Sequence, residues 1–150
     1  MEKGKMAKQL FENGYNCSQA IVLAFKDELN IEEKTLLSLS SSFGGGISRL
    51  REVCGCISGM AIVLGVLYGD YDPLDNNAKA NHYQLIQKLS LKFKEKFSSY
   101  ICADLLDKVK QVDSYIPEIR NKEYYANRPC GKYISYMADL IKQEIDERKN

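Results

Sequence analysis

Apolar residues along this 150-residue chain recur three, four and seven positions apart, the spacing of helices that bury one face. The pattern predicts helices over about 6–13, 17–29, 31–41, 52–68, 76–97 and 101–112, and a last helix that begins near 129. No stretch alternates with the period of two that marks a half-buried strand. We therefore predict an all-α fold, a single-domain helical bundle of about six to seven helices spanning 1–150.

The helix predicted over about 52–68 is the centre of this bundle. Its sequence is nearly free of charge, and its apolar residues fall on two stripes rather than one. The stripes are Cys54, Ile57, Ala61, Leu64 and Tyr68, and Met60, Val63 and Leu67. A helix that is apolar nearly all round is a buried one. Gly55 and Gly59 add a small-residue face against which a neighbouring helix can pack closely.

Three consecutive glycines, Gly44, Gly45 and Gly46, precede this central helix. Such a run is expected where the backbone needs positive φ or passes close to another group, although a flexible loop is an equal alternative. No strand precedes the run and no Lys-Ser/Thr follows it, so neither a P-loop nor a dinucleotide fingerprint is supported. These three glycines and Gly55 are the predicted cofactor-binding positions.

The segment 113–128 is polar and irregular, with one proline and three tyrosines. It is long for a connection within a compact domain, which is typical of a lid, an interface or a strap. The tyrosines would suit a surface for a homo-oligomer or another partner.

Composition narrows the class of protein. Twenty-one basic and 20 acidic side chains give a formal charge of +1, and 45% of the residues are hydrophobic. That balance argues against broad binding to nucleic acid or to a membrane surface. The first residues lack an apolar leader, and the longest charge-free run is too short for membrane insertion. We therefore expect a cytoplasmic protein, in which cysteines are metal ligands, redox thiols or packing residues.

Four of the five cysteines share a position relative to the predicted helices. Each of Cys17, Cys54, Cys102 and Cys130 falls in the first turn of a helix and begins its apolar stripe. Free N–H donors at a helix start stabilise a thiolate. Four thiolates are the set that an iron–sulfur cluster or a structural zinc ion requires. These four cysteines are the predicted site, as metal ligands or, without metal, as redox-active thiols.

The chain also favours a plainer interpretation of these cysteines. They lie 37, 48 and 28 positions apart, unlike the close pairs of most metal sites, and buried cysteine is often a small hydrophobic residue. Cys56 is more typical of packing, although at a helix start it could pair with Cys54. His82, the single histidine, is more typical of a core residue than of a ligand.

The flanking positive charges favour a thiolate site. Arg49 and Arg51 precede Cys54, and Arg128 and Lys132 flank Cys130. Their charges could offset those of thiolates.

Several segments together resemble one known family. They are GYNCSQAI (14–21), SFGGGISR (42–49), EVCGCISG (52–59), Cys102 before Leu105 and Leu106, and RPCGKYI (128–134). They resemble the C_GCAxxG_C_C family of small redox-active proteins, with four characteristic cysteines and a CGAxxG motif. The resemblance implies that Cys17, Cys54, Cys102 and Cys130 are the family cysteines and that Cys56 replaces the usual alanine. It also implies a redox role beside an oxidoreductase or transporter system.

Three functions follow as hypotheses. The first is an electron-transfer protein whose four cysteines bind an iron–sulfur cluster or zinc. The second is a metal-free thiol–disulfide protein or sensor that uses cysteine pairs. The third is a helical interaction module whose cysteines only pack. The pattern fits an enzyme and a non-enzymatic carrier alike.

Overall fold

The computed structural model of the chain describes residues 2–109 and 114–149. Its helices are α1 (Lys3–Glu12), α2 (Cys17–Ala24), α3 (Lys26–Leu29), α4 (Glu33–Ser40), α5 (Gly44–Ile47), α6 (Gly55–Tyr68), α7 (Asn76–Phe97), α8 (Cys102–Leu105), α9 (Lys122–Asn127) and α10 (Cys130–Lys149). No strand forms within the described ranges, so the predicted all-α class is confirmed. There are more helical segments than the six or seven predicted, because several of them are single turns.

Helix α6 is the buried element predicted at the centre of the fold. Its inward residues Met60, Val63 and Leu64 are fully buried. They join one continuous core to which α2, α7 and α10 also contribute side chains. The nearly uncharged sequence of α6 is therefore explained by burial on more than one side.

Two glycines of α6 set how closely α2 packs against it. A Cβ added at Gly59 would lie 2.9 Å from the Cβ of Ile21, and one at Gly55 would lie 3.0 Å from the Cβ of Cys17. Both distances are too short for a larger residue without a shift of one helix. The predicted small-residue face of α6 is confirmed, and α2 is the helix that occupies it.

The outer helices close the bundle around α2 and α6. Helix α1 lies along α10, and the Gly4 N–H donates to Asp139 Oδ1 at 2.8 Å across that interface. Helix α7 packs one face inward through Leu85, Leu89 and Phe93. Each of these helices is amphipathic, as the apolar spacing predicted.

Three predicted boundaries were wrong. Helix α6 begins at Gly55 rather than near Glu52, because Val53 forms an antiparallel bridge with Ile101. The helix predicted over 101–112 ends at Leu105, and positions 110–113 lie outside the described residues. Within the segment predicted as irregular, 122–127 is helical, and the Asn121 side chain caps that helix by accepting from the Tyr124 N–H.

In the described part of the chain, every helix is too short or too polar to cross a membrane.

Candidate functional site

The beginnings of four helices meet at one small cavity. Cys17 is the first residue of α2, Cys54 is the N-cap of α6, and Cys102 and Cys130 are the first residues of α8 and α10. All four, together with Cys56, line a cavity of about 20 Å³, and all five are free thiols. A cavity of that size holds about one water molecule. Cysteines that are far apart in sequence therefore share one enclosed space.

Close packing between α2 and α6 brings the first two sulfurs together. Gly55 stands between Cys54 and Cys56, and its missing side chain leaves the space that Cys17 fills. Asn16 caps α2 through a capping box with Gln19, so the first turn of α2 has a defined geometry. The side chain of Cys17 is consequently held over the first turn of α6.

Cys54 and Cys56 face the same cavity although they are only two positions apart. Cys54 is extended, with ψ of 138°, so the rotation expected between two helical residues does not apply. The Cys56 N–H donates to Cys54 Sγ at 3.4 Å. Burial, and after it the neighbouring Cys54 thiol, raise the pKa of the Cys56 thiol well above its usual value.

A short antiparallel contact places Cys102 beside Cys54. The Cys54 N–H donates to Tyr100 O at 2.8 Å, and the Cys102 N–H donates to Glu52 O at 2.6 Å. These bonds flank the bridge between Val53 and Ile101. The two segments thus run side by side, and each delivers its cysteine to the cavity.

The glycine run forms α5, which is a single turn wound left-handed. Gly45 and Gly46 have φ of 69° and 68°, and Ile47, Ser48 and Arg49 also have positive φ. Left-handed turns cost roughly 1–2 kcal/mol for each residue that carries a Cβ, so glycine is favoured here. Gly46 also packs closely, since an added Cβ would lie 2.7 Å from the Cβ of Cys102. Both reasons predicted for the glycines, positive φ and close approach, are found.

The left-handed turn leads into two arginines, Arg51, which contacts a cysteine of the cavity, and Arg49, which contacts the segment 114–121. Arg51 Nη1 donates to Cys102 Sγ at 3.5 Å. Burial nevertheless raises the pKa of Cys102 more than the hydrogen bond and charge of Arg51 lower it. Arg49 Nε donates to Ser114 O at 2.8 Å, which ties the turn to the segment 114–121.

The pKa values of Cys17 and Cys130 move in opposite directions. The interaction with Cys130, followed by burial, raises the pKa of Cys17 well above its usual value. The interaction with Cys17 and the positive charges of Arg128, Arg120 and Arg51 lower the pKa of Cys130 against the cost of burial. Cys130 is therefore the more readily ionised thiol of the two.

One carboxylate holds the arginines near this pair. Glu118 Oε1 lies 2.7 Å from Arg128 Nη2 and 3.8 Å from Arg49 Nη2. The guanidinium of Arg128 is almost wholly buried, with a side chain 4% exposed. Burial opposes ionisation of Glu118, but the hydrogen bond from Arg128 and the charges of the arginines outweigh it, so the pKa of Glu118 is lowered.

A larger cleft lies outside the cavity wall. Its volume is about 800 Å³, and Leu105 and Tyr133 line both the cleft and the cavity. Tyr133 Oη donates to Leu105 O at 3.0 Å across this wall. Arg128 and Lys132 line the cleft but not the cavity, and Asp104 and Asp107 also line it, so a molecule there meets charges of both signs.

The remaining predicted site residues are placed as follows. Gly45, Gly46 and Gly55 line the cavity, whereas Gly44 packs against the side chain of Asn16. That any of the four binds a cofactor stays a prediction. Lys132 is exposed. The ring of His82, on α7, lies against the ring of Tyr71.

Sequence reasoning missed Glu118 and Arg120 as parts of the site. The guanidinium of Arg120 stacks on the rings of Phe11 and Tyr124. It also donates to Phe11 O at 3.0 Å, and Phe11 lies more than 100 positions earlier in the chain. Both residues lie in a polar segment without helical periodicity. No local pattern there could have identified them.

The structure gives the predicted metal no ready set of ligands. Within residues 2–109 and 114–149, no three or more Cys, His, Asp or Glu side chains are arranged to hold an ion. The four predicted ligands do line one cavity, so that a metal binds there stays a prediction.

Comparison with known proteins agrees with a redox role. The sequence model of the family described as "Putative redox-active protein (C_GCAxxG_C_C)" matches residues 15–144. Searches of curated proteins and of solved structures gave no match. The family match spans all five cysteines, the left-handed turn and α10 as far as Glu144. This chain therefore belongs to the C_GCAxxG_C_C family of redox-active proteins.

Proposed function

We propose that the chain is a metal-free thiol–disulfide redox protein in which Cys17 and Cys130 alternate between dithiol and disulfide. The observation that carries this proposal is that the thiols of Cys17 and Cys130, at the starts of α2 and α10, line one small cavity, where the charges of Arg128, Arg120 and Arg51 act on Cys130. Two thiols that share so small a cavity can approach each other to form a covalent bond. The coarser redox role is that of the family.

The exchange requires a nucleophile and a resolving thiol. The Cys130 thiolate attacks one sulfur of a substrate disulfide, forms a mixed disulfide and releases the other sulfur as a thiolate, which takes a proton from water. Cys17 then transfers its proton to the departing sulfur and attacks Cys130. The Cys17–Cys130 disulfide forms and the second substrate thiol leaves, so two electrons pass from the protein to the substrate.

The arginines prepare Cys130 for the first step. A thiolate, not a thiol, is the attacking species, and neighbouring guanidinium groups favour it. Arg128 and Arg120 supply that charge, and Glu118 fixes the position of Arg128. The substrate would enter from the cleft that Tyr133 and Leu105 separate from the cavity.

A cluster or zinc centre on Cys17, Cys54, Cys102 and Cys130 is the second candidate. Its support is that all four sulfurs line one cavity. Its weakness is the donor arrangement described above. Metal analysis separates the two candidates.

Partner and location are part of the same proposal. A disulfide-bearing redox partner protein, or an oxidoreductase or transporter system, would supply the substrate. A reducing cytoplasm would keep the five thiols free.

The test begins with anaerobic purification after iron-replete growth. Iron, sulfide and zinc are quantified, and the thiols are then oxidised in glutathione redox buffers and mapped by alkylation and mass spectrometry. We expect metal-free protein with a Cys17–Cys130 disulfide, and at least a 100-fold slower reaction with a small disulfide in Cys130→Ser.

Cys102→Ser is the matched control, because its sulfur is also at a helix start and in contact with an arginine. It should keep most of the reactivity. Stoichiometric iron and sulfide with absorbance in the visible range would instead support the cluster. Full reactivity in Cys130→Ser would contradict the assignment of the nucleophile.

A further inference from the structure

We propose that Cys54 and Cys56 form a second dithiol couple, which accepts the disulfide of Cys17 and Cys130 by internal exchange. The chain would then store two disulfides and four electrons rather than one disulfide and two. This inference rests on the proposed function, because the first disulfide must form before it can be passed on.

The first observation is that both sulfurs of the pair face one cavity. Cys54 and Cys56 line it together, and the Cys56 N–H donates to Cys54 Sγ at 3.4 Å. The extended backbone of Cys54 turns its sulfur to the same side as that of Cys56. In a regular helix, residues two apart point about 200° away from each other, so this alignment depends on the helix beginning at Gly55.

The second observation is that Cys56 is sealed from solvent. Its exposed fraction is 0%, whereas Cys54 is 6% exposed and Cys17 is half-buried. A substrate cannot reach Cys56 while the fold is intact. Redox chemistry at Cys56 therefore has to pass through another sulfur of the cavity, and Cys54 is in direct contact with it.

The third observation is the position of Cys17. A Cβ at Gly55 would lie 3.0 Å from the Cβ of Cys17, so Cys17 is held over the residue that joins Cys54 to Cys56. Cys17 is also one of the two thiols of the proposed Cys17–Cys130 couple, and both line the cavity. Cys17 therefore belongs to that couple and lies beside the Cys54–Cys56 couple.

The transfer takes two steps. Cys54, after losing its proton, attacks Cys17 of the Cys17–Cys130 disulfide, which forms a Cys54–Cys17 bond and releases Cys130 as a thiolate. Cys56 loses its proton and attacks Cys54, which forms the Cys54–Cys56 bond and releases Cys17. Cys54 and Cys56 are oxidised by two electrons, Cys17 and Cys130 are reduced by two, and the two protons pass to them.

This exchange regenerates Cys17 and Cys130 as thiols. The Cys17 and Cys130 thiols can then reduce a second substrate disulfide. Cys102 takes no part, since its contact is with Arg51. The fully oxidised chain is expected to carry two disulfides and one thiol.

The experiment counts thiols in the full-length chain at equilibrium. Reduced protein is incubated anaerobically in glutathione buffers from reducing to oxidising, quenched with acid, alkylated and weighed intact. The wild type should lose four thiols and keep one, and mapping should find Cys54–Cys56 bonded. Cys56→Ala should lose two thiols and keep two, with Cys17–Cys130 bonded.

Ser58→Ala is the matched control, because Ser58 lies two positions after Cys56 in α6. This variant should lose as many thiols as the wild type. The double variant Cys56→Ala/Cys130→Ala adds a second measurement, because it removes the partner of Cys54 in one couple and the partner of Cys17 in the other. It should accumulate a Cys17–Cys54 disulfide after reaction with oxidised glutathione.

The disulfides mapped in the wild type separate failure of the second couple from failure of the proposed function. That comparison does not depend on how a variant folds, and Cys56→Ala repeats it. A Cys17–Cys130 disulfide with Cys56 still alkylated at the most oxidising buffer would overturn the second couple and leave the proposed function intact. Absence of any Cys17–Cys130 disulfide in every buffer, and in Cys56→Ala, would overturn the proposed function itself.

Discussion

The first turn of α6 and its middle are both buried, but their surroundings differ. At the first turn, Cys54 and Cys56 border a cavity that three other cysteines also line. About one and two turns further on, Met60 and Leu64 are fully buried in the aliphatic core. Burial alone therefore does not tell which buried residues share a cavity with other thiols and which pack only against hydrocarbon.

The same contrast holds along α10. Cys130 at its start is polarised by Cys17 and three arginines. Ile134, Met137 and Ile141 further along are fully buried in the shared core. Changes in the middle of these helices should therefore alter stability and spare the thiol chemistry, whereas changes at their beginnings should alter both.

The largest effect on stability is expected in the middle of α6. Leu64→Ala removes a fully buried side chain from the core, so the free energy of unfolding should fall by about 2–5 kcal/mol. Urea denaturation measures that loss. The glutathione ratio at which Cys17 and Cys130 are half oxidised should stay within a factor of two of wild type. A larger change would mean that core and site are coupled.

The next effect is expected at the beginning of the site, in the left-handed turn. Gly46→Ala puts a Cβ into a positive-φ position 2.7 Å from the Cβ of Cys102. Backbone strain and the overpacking together should cost about 2–4 kcal/mol. Unlike Leu64→Ala, this change should also alter the rate at which Cys102 is alkylated, which mass spectrometry follows.

Gly65→Ala is the matched control for that variant. It lies within α6, and an added Cβ there would contact nothing within 4 Å. Alanine is the better helix former, so this change should stabilise the protein by about 0.5–1 kcal/mol. A loss in Gly65→Ala as large as in Gly46→Ala would contradict the explanation by strain and contact.

The smallest of these effects is expected at the edge of the site, where Glu118 pairs with Arg128. Glu118→Gln leaves a buried guanidinium without its carboxylate and should cost about 2 kcal/mol of unfolding free energy at neutral pH. Because the pKa of Glu118 is lowered in the folded state, its contribution is present above the ordinary pKa of a glutamate. It is lost as the pH falls through the lowered value.

The unfolding free energies of the wild type and Glu118→Gln should accordingly converge in acid. Glu32→Gln serves as a control, since that exposed residue precedes α4 and is distant in sequence from the arginine cluster. It should behave as wild type throughout. A constant difference between wild type and Glu118→Gln down to low pH would contradict the ion-pair explanation.

Much of the fold could be predicted because helices are local. Apolar spacing identified α6, α7 and α10, and the Asn16 capping box identified the start of α2. The beginning of α6 was predicted three residues too early, since residue spacing cannot reveal that Val53 bridges Ile101. The same limitation hid the helical turn at 122–127 inside a polar segment.

Less of the site could be predicted, because its contacts join distant segments. Periodicity and capping predicted that four cysteines lie at helix starts. They did not predict how the sulfurs are arranged, since the sequence allowed a four-ligand metal site and pairs of thiols equally. Glu118 and Arg120 lie 12 and 10 positions before Cys130, and no local pattern links them to it.

The sequence by itself determined the helices, their buried faces and the placement of cysteines at the helix starts, because each depends on residues within one or two turns. Only the tertiary structure decided that the five cysteines lie together around one cavity. Their arrangement arises from the packing of α2 against the glycines of α6 and from the left-handed turn beside Cys102. Contacts of that kind depend on how helices fit together in space, and no spacing along the chain encodes them.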